Sequence, residues 1–241
     1  MNNNLYSMLK LDVRMLEGLH ACINCGTCTA ICPAAGFYNY DPRVIAVTVQ
    51  TRNNDKILEL LKSDTIWYCG ECLSCKTRCP KNNTPGFIIQ ALRHLSHQLG
   101  YFVESEKGRQ SLAIKRTIGD EILKSGYCMF VERITTEMHP EQGPVWDWIR
   151  KNAKEVYERC GGNYQGEGEG AMRKIPKEAL DELKHIFEVS GGIAFYDNIE
   201  EHSKRKAEEM GLQFDETNNC EYFKHVYIAN SGKHYNYEQE K

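Results

Sequence analysis

The sequence predicts a mainly α protein, and three observations support that prediction. Apolar residues recur at helical spacing in most segments, for example from Leu9 to Leu19 and from Phe87 to Leu99. Helix-starting pairs such as Asp41-Pro42 and helix-ending glycines bound these segments. Eight of the 11 cysteines fall in two short runs. We therefore expect a cysteine-rich domain over residues 1–105 and a mostly helical C-terminal extension over residues 106–241, with an extended or disordered tail over residues 218–241.

The first element is a short helix between residues 5 and 20, which leads into the first cysteine run. That run, residues 22–33, reads C-x-x-C-x-x-C-x-x-x-C-P, and residues 69–80 repeat it. Bacterial-type ferredoxins hold [4Fe–4S] clusters with this run, whose fourth cysteine ligates the other cluster. The sequence therefore predicts two [4Fe–4S] clusters. The predicted ligands are Cys22, Cys25, Cys28 and Cys79 for the first cluster, and Cys69, Cys72, Cys75 and Cys32 for the second.

Zinc sites and disulfides are the other uses of such cysteines. Structural zinc usually takes two ligand pairs separated by a longer loop, rather than four thiols in one run. Disulfides are typical of exported proteins, whereas the first residues here lack the basic start and apolar centre of a secretion signal. We expect iron–sulfur clusters in a reducing cytoplasm, with a zinc scaffold as an alternative.

Charge and hydropathy exclude further classes. The formal net charge of −3 argues against nucleic acid as the main partner. No apolar run approaches the length of about 20 residues that crosses a bilayer, so we expect no transmembrane segment. Peripheral attachment to a membrane through partners stays open.

The segment between the two runs gives mixed signals. Its start, Asp41-Pro42, is typical of a helix, whereas the β-branched residues from Val44 to Val49 favour a strand. A clearer helix follows, with Asn54 as its expected cap and apolar residues from Ile57 to Leu61. After the second run, Thr84-Pro85 predicts a long helix to Gly100 whose apolar face covers the clusters.

The first hundred residues resemble the C subunit of heterodisulfide reductase, within the α-helical ferredoxin group. The resemblance rests on the two cysteine runs, on Asp41-Pro42-Arg43, on Trp67 before Cys69, and on Ala91-Leu92-Arg93. It implies an α-helical ferredoxin domain with a helical link between the runs. It also implies a subunit without a substrate site of its own. Such a subunit passes single electrons between a flavoprotein like the A subunit of heterodisulfide reductase (HdrA) and a catalytic subunit like its B subunit (HdrB). The chain has no adjacent cysteines and so lacks the Cys-Cys-Gly signature of the HdrB-like subunit.

The part of the chain beyond about Tyr101 is longer than the corresponding part of the simplest C subunits of heterodisulfide reductase (HdrC). This length resembles the heterodisulfide reductase-like complexes of sulfur oxidisers, which implies oxidation of sulfane sulfur on a lipoate-binding carrier protein. The alternative from the resemblance is the cluster subunit of another dehydrogenase, of the glycolate or anaerobic glycerol-3-phosphate type.

The extension has its own pattern. We expect helices over residues 111–124, 144–159, 176–190 and 198–210, the last with Asn198 as its cap. The glycine–glutamate repeat of residues 165–170 lacks the Lys-Ser/Thr of a phosphate-binding loop and predicts a flexible exposed loop. Cys128 is expected to be buried, and no motif joins it to Cys160 or Cys220.

Two further expectations concern the surroundings of the clusters. Gly26 should lie where a Cβ would crowd the first cluster. Lys76, Arg78 and Lys81 should surround the second run, and nearby cations favour a reduced cluster. We therefore expect the second cluster to have the higher potential, with docking of an acidic partner as the alternative use of these cations.

Overall fold

The computed structural model describes residues 4–228 and confirms the mainly α prediction, since these residues contain no β-strand. The chain divides into two compact units. One unit runs to Ser111 and resumes at Asn198, and the other covers Leu112–Asp197. The first unit contains both cysteine runs.

The first unit is built from short helices around one apolar core. Its helices before Ser111 are α1 Leu5–Lys10, α2 Met15–Gly18, α3 Thr27–Ala30, α4 Pro42–Gln50, α5 Asn54–Lys62, α6 Pro85–Gln98 and α7 Glu106–Arg109. Turns of 3₁₀ helix lie at Pro33–Gly36, Asp64–Tyr68 and Tyr101–Glu104. The core centres on α6, which buries Ile88, Ile89, Leu92 and Leu95 against α4 and α5.

Helix α4 resolves the mixed signals of the link in favour of the resemblance. The Asp41 carboxylate accepts hydrogen bonds from the N–H groups of Arg43 at 2.9 Å and Val44 at 3.3 Å, and so caps the helix. Ile45 and Val49 lie one turn apart and are both buried in the core. Burial of these side chains therefore outweighs the strand preference of β-branched residues.

Two predicted caps differ in detail. Asn53, rather than Asn54, caps α5 by accepting from the N–H of Lys56 at 3.1 Å. Asn54 instead accepts from the N–H of Tyr6 at 3.1 Å. Thr84 precedes α6 as expected, but its side chain makes no cap bond. Its backbone N–H reaches the carbonyls of Glu17 and Gly18, each at 3.0 Å, and joins the start of α6 to α2.

Residues 198–228 belong to the same unit as the cysteine runs, so the contacts divide the chain differently from the predicted division at residue 105. The tail prediction is wrong for Glu221–Ile228, which form helix α14, because Tyr222, Phe223 and Val226 are fully buried and stabilise it. Residues 229–241 lie outside the described part of the chain. The division into a domain of residues 1–105 and an extension of residues 106–241 remains a prediction.

The second unit is also helical. Its helices are α8 Ser111–Ile114, which starts at the last residue of the first unit, α9 Asp120–Ser125, α10 Gly143–Lys151, α11 Ala153–Arg159 and α12 Lys177–Val189, with a 3₁₀ turn at Pro140–Gln142. A π turn at Lys115–Gly119 interrupts the helix predicted over residues 111–124. The final long helix, α13, runs from Gly192 to Met210, so Asn198 lies inside it and the predicted cap is wrong.

The glycine–glutamate segment is exposed, as predicted, but it is held by hydrogen bonds. The Asn163 side chain donates to the carbonyls of Glu167 at 2.8 Å and Glu169 at 3.0 Å and closes the loop. Cys128 is exposed, so its predicted burial is wrong, whereas Cys220 is buried. Among the described helices, none combines the length and apolarity that a membrane crossing requires.

Candidate iron–sulfur centres

The eight cysteines of the two runs line two cavities, and each cavity takes thiols from both runs. Cys22, Cys25, Cys28 and Cys79 line the first cavity. Cys32, Cys69, Cys72 and Cys75 line the second. The fold thus brings the thiols together in the two groups that the sequence predicted as ligand sets.

The loop of the first run is shaped by left-handed residues on both sides of Cys25. Asn24 has φ of 59° and Gly26 has φ of +81°. A Cβ on Gly26 would meet only the Arg43 side chain, at 3.9 Å. The backbone conformation therefore favours glycine here, and crowding of a Cβ against the first cluster remains a prediction. The N–H of Asn24 points at the Cys22 sulfur at 3.5 Å, and Cys25 Sγ lies 3.4 Å from the Thr27 hydroxyl.

The loop of the second run repeats this geometry. Glu71 with φ of 53° and Leu73 with φ of 57° flank Cys72. Cys72 Sγ lies 3.4 Å from the Ser74 hydroxyl, which matches the distance between Cys25 and Thr27. Leucine at positive φ carries a conformational cost that glycine avoids, and such strain is typical of functional loops.

The thiols of each loop differ in the same way. Hydrogen bonding with Thr27 lowers the pKa of Cys25, and hydrogen bonding with Ser74 lowers the pKa of Cys72. Burial raises the pKa of Cys28 to about 11 and also raises that of Cys75. Only the thiolate form of cysteine ligates metals. The buried thiols, whose pKa values are raised, therefore lose their protons only when a metal cluster binds.

Cys79 is placed at the first cavity by a buried asparagine. The N–H of Asn83 points at the Cys79 sulfur at 3.3 Å. The Asn83 side chain accepts from the N–H of His20 at 2.6 Å and donates to the carbonyl of Ala21 at 3.0 Å. Asn83 thereby ties the end of the second run to the residues that precede Cys22.

One polar side chain from a long helix holds the first cysteine of each run. Gln50 of α4 accepts from the N–H of Cys22 at 2.6 Å and donates to its carbonyl at 3.0 Å. Arg93 of α6 donates to the carbonyls of Cys69 at 2.6 Å and Ile66 at 2.7 Å and pairs with Glu71. The second run is therefore held by a cation and the first by a neutral amide.

His97 lies one turn after Arg93 on α6 and is buried in the core. Its Nδ1 lies 3.0 Å from the Arg93 carbonyl and its Nε2 lies 3.0 Å from the Ser111 hydroxyl. Its ring meets Trp67 edge-on at 5.2 Å. Burial lowers the pKa of His97 to about 4, so the ring is neutral near pH 7. His97 and His94, which lies 3.0 Å from Asp12, both have protein partners.

The walls of the two cavities differ more than their loops. The second cavity, of about 390 Å³, has an aromatic wall of Phe37, Tyr38, Tyr40 and Tyr68. The first, of about 20 Å³, is lined by Arg43 and Lys81. Lys81 therefore lies at the first cavity, although its position after Cys79 led us to expect it at the second. Lys76 pairs with Glu17 at 2.8 Å.

The donor sets fit iron–sulfur clusters, because each cavity offers four thiols and a [4Fe–4S] cluster takes four thiolates. In residues 4–228, no three Cys, His, Asp or Glu side chains converge on a position for a single metal ion. The sequence alone did not identify Gln50, Asn83 and Tyr40 as parts of these centres. Arg43 and Arg93 were visible only as members of the Asp-Pro-Arg and Ala-Leu-Arg triplets.

The cysteine-lined region matches a known domain family. The model for the 4Fe-4S dicluster domain matches residues 17–83, which include both runs. The chain is therefore a 4Fe–4S iron–sulfur protein.

Comparison with curated proteins gives the particular family. The chain is 36% identical over 206 residues to the C subunit of ferredoxin:CoB-CoM heterodisulfide reductase from Methanosarcina acetivorans, a match that covers 85% of this chain and 74% of that relative. It is 29% identical over 153 residues to an iron–sulfur C subunit of CoB–CoM heterodisulfide reductase from Methanocaldococcus jannaschii, covering 61% of this chain and 75% of that relative. The chain belongs to the HdrC family, the C subunits of heterodisulfide reductase.

The same comparison bears on the length of the extension. A match of 206 residues includes part of the chain beyond residue 105. The extension therefore does not distinguish a sulfur-oxidising branch from relatives named for CoB–CoM heterodisulfide. As a member of this family, the chain is an iron–sulfur electron-transfer subunit of an oxidoreductase.

Proposed function

We propose that the chain is a non-catalytic relay that carries single electrons through two [4Fe–4S] clusters. Cys22, Cys25, Cys28 and Cys79 ligate the first cluster, and Cys32, Cys69, Cys72 and Cys75 ligate the second. The observation that carries the proposal is the grouping of four thiols around each of two cavities. When bound, each cluster supplies one-electron redox chemistry.

The two sets of four thiols are close enough to interact electrostatically. The charge of Cys75, at the second cavity, contributes to the raised pKa of Cys28, at the first. Cys32 and Cys79 each line the cavity that is otherwise lined by cysteines of the other run. Closely spaced clusters suit a relay, because an electron moves between them without a diffusing carrier.

The partners follow from the family. The HdrC relatives are named as parts of a reductase, and this chain has no Cys-Cys-Gly run with which to form the HdrB-type site. We assign the electron exchange to an HdrA-like flavoprotein on one side and an HdrB-like catalytic subunit on the other. The complex works in the cytoplasm, with any membrane attachment made through its partners.

The names of the relatives favour a disulfide as the substrate of the complex. Oxidation of sulfane sulfur on a lipoate-binding carrier protein remains the alternative that the sequence suggested. The same relay serves either reaction, since only the direction of electron flow differs. The glycolate and glycerol-3-phosphate dehydrogenase alternative is disfavoured by the family.

Metal analysis after anaerobic purification tests the cofactor. Two cubanes give about eight irons and about eight sulfides per chain. A zinc scaffold gives about two zinc ions and no sulfide, and would refute the proposal. Co-purification of a tagged chain with a flavoprotein and a Cys-Cys-Gly protein tests the partners.

Single Cys→Ser variants test how the cysteines are shared. We expect Cys79→Ser to leave a cluster with the same electron paramagnetic resonance (EPR) spectrum as Cys22→Ser leaves. Cys32→Ser should leave the cluster that survives in Cys75→Ser. If Cys79→Ser instead matches Cys75→Ser, each run holds its own cluster and the crossed assignment is wrong.

A further inference from the structure

The residue before the middle cysteine has the same left-handed conformation in both loops. It is Asn24 in the first run and Glu71 in the second, with φ of 59° and 53°. A side chain at such a φ costs conformational energy and persists only where the surrounding structure holds it in place. Each of these two residues therefore depends on a support from outside its loop.

An arginine from a helix provides this support in each loop. Arg43, in the first turn of α4, donates from Nη1 to the side-chain oxygen of Asn24 at 3.0 Å. Arg93 of α6 donates from Nη1 to the Glu71 carboxylate. Neither cysteine run contains these arginines, which are the last residues of the Asp-Pro-Arg and Ala-Leu-Arg triplets. The two arginines therefore occupy equivalent positions at the two loops.

Asp41 holds the guanidinium of Arg43. The Nε and Nη2 groups of Arg43 donate to one oxygen of the Asp41 carboxylate at 3.3 and 2.8 Å. The other carboxylate oxygen accepts from the hydroxyl of Thr29, which follows Cys28 in the first run. The ion pair therefore joins the start of α4 to the first loop at two points, one before Cys25 and one after Cys28.

Asn24 connects Arg43 to a cysteine sulfur. The N–H of Asn24 points at the Cys22 sulfur at 3.5 Å, and the conformation of Asn24 decides where that N–H points. Arg43 also lines the first cavity, with its side chain 33% exposed. Reduction adds negative charge to a cluster and its sulfurs, so an N–H donor and a nearby cation both favour the reduced form. Asp41 offsets part of the charge of Arg43.

The two loops divide the same task differently. In the first loop, Gln50 binds the cysteine that opens the run, and Arg43 binds the residue two positions later. In the second loop, Arg93 binds both equivalent positions, the Cys69 carbonyl and the Glu71 carboxylate. Arg43 therefore acts on the first loop separately from the support of its opening cysteine.

We propose that Arg43 is a positioning residue of the first cluster, which holds Asn24 so that its N–H stays on the Cys22 sulfur. The proposal rests on the proposed ligation of that cluster by Cys22, Cys25, Cys28 and Cys79. The donor held on the sulfur and the cation at the cavity both raise the reduction potential of the cluster. This role gives the Asp-Pro-Arg triplet a function beyond the start of α4.

Arg43→Met and Asn24→Gly test the proposal in the full-length protein by EPR-monitored redox titration. Arg43→Met removes the donor and the cation, so we expect the reduced-to-oxidised ratio of the first cluster at fixed solution potential to fall about tenfold, or about 59 mV. Asn24→Gly removes the acceptor but keeps the backbone N–H, and should lower this ratio about threefold. The second cluster should keep its potential. Cys22→Ser, which removes a ligand of the first cluster, identifies which signal moves.

The double variant separates positioning from charge. If Arg43 acts through Asn24, Asn24→Gly has little left to remove in the Arg43→Met background. The ratio in Arg43→Met/Asn24→Gly should then stay within about twofold of the ratio in Arg43→Met. A full threefold fall in both backgrounds would show that the two residues act independently, and would overturn the positioning role.

Arg52→Met is the matched control. Arg52 lies two residues after the last residue of α4, and its guanidinium lies over the Tyr6 ring at 5.3 Å. It is not among the described residues that line either cavity. Because the variant removes the same charge away from the first loop, we expect neither potential to change. Equal shifts in Arg52→Met and Arg43→Met, or no shift in Arg43→Met, would contradict the proposal.

Iron content separates this test from the test of the proposed function. A native protein without about eight irons refutes the relay itself. If Arg43→Met lowers the iron content to about four, the titration of Asn24→Gly replaces that of Arg43→Met. An Asn24→Gly protein with about eight irons and an unchanged potential of the first cluster overturns the positioning role and leaves the relay intact.

Discussion

The two cysteine loops have the same backbone conformation but differ in the residues that surround them. Each loop turns through left-handed residues on both sides of its middle cysteine, Asn24 and Gly26 in one and Glu71 and Leu73 in the other. Around this common frame, the first cavity has the cations Arg43 and Lys81, whereas the second has an aromatic wall. The spacing of the ligands thus sets the loop, and residues outside the runs make the two centres unequal.

The supports of the loops differ as well. A neutral amide, Gln50, holds Cys22, and a charged guanidinium, Arg93, holds Cys69. Hydrogen bonds from charged donors are roughly twice as strong as neutral ones. The second loop therefore depends more on its single support than the first does.

The largest effect is expected from Arg93→Met. It removes donors from the Cys69 and Ile66 carbonyls and leaves Glu71 without its cation. We expect the free energy of unfolding to fall by about 3 kcal/mol, as measured by anaerobic urea unfolding. Gln50→Met is the matched control, with an expected loss of about 1 kcal/mol. Equal losses would remove the asymmetry between the supports.

Acid should destabilise the folded chain through the buried His97. Below pH 6.5 the unfolded chain binds a proton that the folded ring, with a pKa of about 4, does not accept. The stability is therefore full above pH 6.5 and falls as the pH decreases, by about 2 kcal/mol at pH 5.

Urea unfolding at pH 7 and pH 5 measures this loss. His97→Gln should abolish most of the difference, whereas His94→Gln, beside the partly exposed Asp12 pair, should retain it. If His97→Gln keeps the full pH dependence, another group is responsible for it.

Gly26→Ala and Leu73→Gly compare the left-handed positions after the middle cysteines. Alanine at a φ of +81° costs about 1–2 kcal/mol, although space is available for its Cβ. Leu73→Gly should relieve a similar cost but lose side-chain packing near Gly86, so its net effect should be under about 1 kcal/mol. Gly36→Ala, at a glycine with no atom within 4 Å of an added Cβ, is the control and should be neutral.

The smallest effects are expected at the hydroxyls beside the middle cysteines. Thr27→Val should lower the potential of the first cluster, and Ser74→Ala that of the second, because each hydroxyl lies 3.4 Å from its sulfur. In an EPR-monitored redox titration, we expect the reduced-to-oxidised ratio of the affected cluster to fall about threefold, which corresponds to a potential lower by roughly 30 mV. A shift in the opposite cluster would contradict the assignment of Cys25 to the first cluster and Cys72 to the second.

The sequence was most informative where chemistry requires a fixed spacing. The repeated runs predicted which thiols meet, because three closely spaced cysteines and one distant cysteine are a recognisable pattern. The mixed signals of residues 44–49 were resolved only by the resemblance, since burial of Ile45 and Val49 depends on a helix distant in sequence. Asn83, Gln50 and Tyr40 left no local signal, because their partners lie far along the chain or depend on packing.

Charge was the least predictable property. Lys81 follows the second run in sequence but lines the first cavity, because Cys79, two residues before it, lies at that cavity. Lys76 pairs with Glu17, which lies before the first run. The charges that we counted around the second run are therefore divided between the two centres, and the higher potential expected for the second cluster remains a prediction.

The exchange of Cys32 and Cys79 between the cavities also orders maturation in time. In the proposed ligation, the second set of four thiols is complete when synthesis has passed Cys75 and the first when it has passed Cys79, so neither cluster can be completed on the first run alone. The two sets are therefore completed within four residues of one another, from Cys75 to Cys79, during synthesis.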